Sequence, residues 1–152
     1  MKFRISFAAC LLAAGPVGQA GAQSSNDACS AGSRVTGVTA PDLRTLLSGK
    51  TVCFKPGGAT AWTWQEYHTP PSGGALVDYK RGSTDPVDPS KQVGTWSAGN
   101  GANAAVTYGY SGSSSYTFVV CALAGGQYRF QGTGGATTVA PATLKAGAGP
   151  CP

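Results

Sequence analysis

Ala104-Ala105-Val106-Thr107-Tyr108-Gly109-Tyr110-Ser111-Gly112-Ser113-Ser114-Ser115-Tyr116-Thr117-Phe118-Val119-Val120-Cys121-Ala122-Leu123-Ala124-Gly125-Gly126-Gln127-Tyr128-Arg129-Phe130-Gln131 holds three runs in which bulky apolar residues recur at every second position. Val106, Tyr108 and Tyr110 fall on one side of the first run. Tyr116, Phe118 and Val120 do so in the second, Tyr128 and Phe130 in the third. A period of two is that of a strand with one face turned to a core. The breaks between the runs are a few Gly and Ser residues, too short for a crossover, so neighbouring strands must be antiparallel.

Working outward, the same reading places strands at 51–55, 61–68, 75–81, 92–97, 104–110, 115–123, 127–131 and 137–144. Val77 and Tyr79 share the core side of the third. Turn signals separate them: Pro56-Gly57-Gly58, Pro70-Pro71-Ser72-Gly73-Gly74, Asn100-Gly101, Gly112, Gly125-Gly126 and Gly134-Gly135. A single helix is expected, over Pro41-Asp42-Leu43-Arg44-Thr45-Leu46-Leu47. Pro stands at a starting position, an acid comes early, the leucines have helical spacing and Gly49 is a stop. No internal repeat supports a propeller or solenoid. The expected fold is all-β: a small antiparallel up-and-down barrel or meander of about eight strands with one short N-terminal helix. A barrel removes exposed edges by closing on itself; a β-sandwich is the alternative.

The chain begins like a secretory signal peptide. Lys2 and Arg4 precede an apolar stretch from Ile5 to Ala14, and Ala20-Gly21-Ala22 offers small residues for cleavage, so the mature chain is expected to begin at Gln23. Cys10 lies too early for a lipoprotein cleavage box. No stretch reaches the ~20 apolar residues of a spanning helix. Residues 23–39 read as a flexible leader and 40–152 as one β domain with a flexible C-terminal tail. The expected location is the periplasm or the external medium.

Losing Lys2 and Arg4 lowers the formal charge from +5 to +3, and the remaining charges are scattered, which argues against nucleic acid as a partner. Beyond residue 22 there is no Ile or Met, and Leu, Val and Phe total only 19, so the core is lean. Three Trp and six Tyr add bulk. In an oxidising compartment Cys29, Cys53, Cys121 and Cys151 read as two disulfides. Of the three possible pairings we favour Cys53–Cys121 with Cys29–Cys151, because the first two sit in strands and the others flank the barrel.

The run Ala61-Trp62-Thr63-Trp64-Gln65-Glu66-Tyr67-His68 is the candidate site. In an extended strand Trp62, Trp64, Glu66 and His68 share a face, two indoles leading to a carboxylate and an imidazole. Tyr79 and Trp96 complete the expected ligand-binding set. Such a pocket suits a small ligand with one polar end, or a sugar ring on an aromatic face; the competing reading is that the tryptophans fill the core. His68 is the sole histidine. With the thiols in disulfides, a zinc site is not expected, and no other cofactor is implied. A hydrolase would have to use His68, yet Gly-x-Ser-x-Gly is absent. Asp85-Pro86-Val87-Asp88-Pro89 offers too few oxygens for calcium and reads as a stiffened loop. Gly132-Thr133-Gly134-Gly135 lacks the helix and Lys of a phosphate loop and reads as a turn.

Part of the chain resembles uncharacterised exported bacterial proteins of small lipocalin-like β-barrel type. The resemblance rests on Thr51-Val52-Cys53, Trp64-Gln65-Glu66-Tyr67-His68, Gly73-Gly74-Ala75-Leu76, Asp78-Tyr79-Lys80-Arg81-Gly82, Asp85-Pro86-Val87-Asp88-Pro89 and Val93-Gly94-Thr95-Trp96. It implies a barrel fold and an extracytoplasmic location, and carries no activity. Where a cysteine is expected after Tyr128-Arg129-Phe130, this chain has Gln131, so the resemblance leaves the disulfide pairing open. The expected function is non-catalytic binding of a small molecule or saccharide. The alternatives are an extracytoplasmic protein–protein or cell-surface interaction module, and a hydrolase using His68. The oligomeric state is not legible.

Overall fold

In the computed structural model, residues 29, 33–36, 42–79, 90–101, 104–112 and 114–152 are described. The chain forms α1 (Leu43–Leu47), β1 (Lys50–Phe54), β2 (Trp64–His68), β3 (Ala75–Asp78), β4 (Lys91–Ala98), β5 (Val106–Tyr110), β6 (Ser115–Ala122), β7 (Tyr128–Thr133) and β8 (Val139–Ala146). Every strand pairs antiparallel with the next, and β8 returns to β1, closing the barrel. The fold is thus the closed up-and-down barrel of the first expectation, and the sandwich is excluded. The expected signal segment and the Asp85–Asp88 turn lie outside the described residues.

Even-numbered positions face inward over most of the barrel, and Val93 and Val139 also pack on the core where the register shifts. Val52, Leu76, Trp96, Val106, Tyr108, Val120 and Phe130 are almost wholly buried. α1 lies over the end where β1 begins and β2 and β4 finish. Asp42 caps it by accepting from the Thr45 N–H at 2.8 Å, and Leu43, Leu46 and Leu47 go into the core. Gly49 at φ 72° then turns the chain into β1, where its N–H donates to the His68 carbonyl. At Pro141, which has no N–H to give the ladder, the β7–β8 register slips between Tyr128 and Phe130.

Two odd-numbered, outward stretches are buried as well, one under the C-terminal segment and one under Cys29. The segment after β8 runs back along β1 and β2: Thr51 Oγ1 donates to the Gly147 carbonyl at 2.8 Å and the Cys151 N–H to Gln65 Oε1 at 2.7 Å. Beside β6, Arg34 forms an antiparallel bridge with Cys121, Val35 N–H donating to the Val120 carbonyl and Ala122 N–H to the Ser33 carbonyl; Val35 joins the core, and Cys29 covers outward Val119 and Cys121. The segments read as flexible leader and tail therefore contain these pinned stretches.

The favoured disulfide pairing is corrected. Cys29 is bonded to Cys121 and Cys53 to Cys151. Cys53 and Cys121 occupy outward positions on β1 and β6, which are not neighbours, so their sulfurs cannot meet; each instead clasps the terminal segment that crosses its own strand.

Candidate functional site

Inside the barrel, aromatic residues stack from end to end. Under α1, His68 is fully buried with its ring edge-on to Trp96, centroids 5.0 Å apart. The His68 Nδ1 lies 3.1 Å from the Lys50 carbonyl, which only accepts, so Nδ1 carries the proton; Nε2 then accepts from the Tyr108 hydroxyl at 2.9 Å. Burial pushes the imidazole down to about 4, so it is neutral around pH 7. Burial, followed by the Glu66 charge, raises the Tyr108 phenol. Trp96 Nε1–H donates to the Thr69 carbonyl at 2.9 Å. These groups are mutually satisfied, and no ring nitrogen of His68 is left to activate a nucleophile.

At the start of β2, opposite α1, Trp64 packs edge-on against Tyr108 at 5.6 Å and Phe130 at 5.0 Å, and tilted against Phe118 at 5.8 Å. Such pairs each contribute about 1 kcal/mol beyond the area they bury. Its indole N–H is buried and has no hydrogen-bond partner among the described residues.

Glu66 lies between Trp64 and His68 on the same face of β2 and reaches across to Tyr110 toward the far end, the one opposite α1. Its carboxylate is buried, and the Tyr110 hydroxyl donates to both oxygens, at 2.8 and 2.9 Å. Loss of solvent pushes the carboxyl up to about 7. The Trp64 indole and Tyr110 hydroxyl hold it lower than burial alone would, and the charge of Asp78, paired with Glu66 across β2 and β3, raises it. The Trp64 N–H thus stabilises the Glu66 anion by its dipole without reaching hydrogen-bond geometry. Burial and the Glu66 charge raise the Tyr110 phenol in turn. Tyr116, 43% exposed, stands edge-on to Tyr110 with centroids 5.8 Å apart.

Of the expected site residues, Trp64, Glu66 and His68 follow one another along the inner face of β2, and Trp96 meets His68 from β4. Trp62 does not join them. β2 begins only at Trp64, after a bend in which Thr63 N–H donates to the Phe54 carbonyl, so strand alternation does not extend back to Trp62. Its indole instead donates to the Pro152 carbonyl at 3.0 Å, with the Lys55 ammonium 4.8 Å over the ring. Tyr79 follows β3 at an outward position, its N–H donating to the Gln65 carbonyl. Tyr110 and Tyr116 are the residues that reading the 61–68 run missed. Both were legible as strand residues; that β5 brings a hydroxyl across the barrel to β2 was not.

Among the described residues, no group of three or more His, Cys, Asp and Glu is placed to hold a metal, and no helix is long and apolar enough to cross a membrane. Compared with models of protein families, with curated proteins and with solved structures, the chain matches none.

Proposed function

We propose that this is an exported, non-catalytic binding protein whose ligand enters the far end of the barrel, between Trp64, Glu66, Tyr110 and Tyr116. The observation that carries the reading is a buried indole N–H that acts on Glu66 yet makes no hydrogen bond among the described residues, beside a buried carboxylate whose one hydroxyl donor among those residues is Tyr110. Unmet buried donors cost about 1–3 kcal/mol each, and a ligand that supplies the missing bond recovers that cost. A hydroxyl group does both tasks at once, accepting from Trp64 and donating to Glu66. A sugar ring adds a face for Tyr116. The saccharide reading is therefore preferred over that of an apolar small molecule. Two disulfides fit an extracytoplasmic location.

Titrating the protein with neutral mono- and disaccharides, with tryptophan fluorescence as the readout, tests this. Binding should shift the Trp64 emission. Tyr116→Ala should weaken it about tenfold, the worth of one aromatic stacking contact, while leaving the melting temperature within a few degrees. Binding that is unaffected by Tyr116→Ala and by Trp64→Phe would move the site elsewhere.

A further inference from the structure

A groove lies at the opposite end of the molecule, outside the barrel wall. α1 forms one side with Arg44, Thr45 and Ser48, the turn after β2 the other with Pro71, Ser72 and Gly73, and the end of β4 the floor with Ser97 and Ala98; its volume is about 500 Å³. That is the size of a small-molecule site. Its walls are tied to the floor. Arg44 Nε donates to the Ala98 carbonyl at 2.8 Å, the Ala98 N–H donates to Ser72 Oγ at 2.9 Å, and Gly73 N–H donates to the Trp96 carbonyl.

Anchoring through Nε holds the planar guanidinium in place and leaves its two terminal amino groups without a partner among the described residues. A guanidinium held this way meets a carboxylate with two parallel bonds. The hydroxyls of Ser48 and Ser97 line the same groove with no partner among the described residues, and that of Ser72, which accepts from Ala98, still has its proton to give. Asp42, the acid beside Arg44, is engaged at the helix cap, and no carboxylate is among the described lining residues. From this we infer a second binding site, for a carboxylated sugar: the acid group on Arg44, the ring hydroxyls among Ser48, Ser72 and Ser97. It is independent of the far-end site and does not rest on it.

Nuclear magnetic resonance of the oxidised protein titrated with D-glucuronate tests it. The amide signals of Ser72, Gly73, Ser97 and Ala98 and the Arg44 Nε–H signal should move together and report one groove affinity, read separately from any change at Tyr110 and Tyr116. D-glucose and acetate should each bind about tenfold more weakly, each lacking one half of the recognition. Arg44→Gln should lower glucuronate affinity about tenfold, the loss of one charge-assisted pair. Ser97→Ala, at an exposed position, should fold normally and weaken binding about threefold. Groove signals that do not move, glucuronate binding unchanged in both variants, or acetate binding as tightly as glucuronate would each overturn the assignment.

Discussion

Glu66 and His68 sit two positions apart on one strand face, and burial moves their proton affinities in opposite directions. The folded protein keeps the Glu66 proton up to about pH 7, whereas an ordinary glutamate releases it near 4.5. Folding therefore loses stability as pH rises from about 4.5 to 7, by on the order of 3 kcal/mol. The folded protein refuses a proton at His68 until about pH 4, while an ordinary histidine takes one near 6.5. That contribution runs the other way: stability is lost as pH falls from 6.5 to 4. Between 4.5 and 6.5 the two slopes oppose each other and the native chain should show little net dependence from this pair. Glu66→Gln keeps an acceptor for Tyr110 and removes one slope. The variant should be more stable than the native chain at pH 8, by about 1–3 kcal/mol, and should lose stability on acidification from 6.5 to 4. Urea midpoints across this range decide it; curves that stay parallel at every pH would show that Glu66 is not held protonated. Tyr116 teaches a related lesson about legibility. It alternates in phase with Phe118 and Val120 and reads as core, yet it stands 43% exposed although Tyr108, its partner across the β5–β6 ladder, is fully buried. Alternation reveals a face; it carries no information on how far along the barrel that face stays covered.

At the scale of strands, the 104–131 run was read well because its residues report on neighbours only a hairpin away. Tyr108 does pair with Tyr116, and Val120 with Phe130. Trp62 failed because alternation was carried through a bend that only a backbone contact with Phe54 creates. Gly94 was legible as a residue of a Gly-Thr-Trp element but not for its packing. It pairs with Leu76 on one side and Tyr110 on the other, and a Cβ there would run into the Gly109 carbonyl and its backbone. Backbone on a central ladder cannot step aside as a side chain can. Gly94→Ala should therefore destabilise the barrel by about 2 kcal/mol or more, and by shifting Tyr110 should loosen its bond to Glu66. Gly57, in the turn after β1, has nothing within 4 Å of the same position, and Gly57→Ala should stay within about 0.5 kcal/mol of the native chain. Thermal melts of the two variants make the comparison. Equal melting temperatures would mean that the β4–β5 ladder yields.

Across the whole molecule, a core poor in aliphatic residues is supplemented from outside. The two disulfides span 92 and 98 residues and fasten Cys29 and the C-terminal segment to the barrel's outer wall. Their pairing was readable in principle. Cys53 lies between inward Val52 and Phe54, and Cys121 follows inward Val120, so both had to point outward, on strands that a closed eight-strand order keeps apart. Reading the cysteines by their place along the chain rather than by strand parity gave the other pairing. Loops of this length remove about 4–5 kcal/mol of chain entropy from the unfolded state on the loop-closure model. Replacing Cys53 and Cys151 together by Ser should therefore lower unfolding stability by about 4 kcal/mol. It should also free the segment that buries Gln65 and Thr51, raising hydrogen exchange along residues 147–152, with the Arg34–Cys121 bridge left intact. Urea unfolding read alongside hydrogen exchange separates the two effects. An unchanged midpoint would mean that the barrel closes without help from its C-terminal clasp, and a non-reducing peptide map joining Cys53 to Cys121 would show that the ends lie elsewhere.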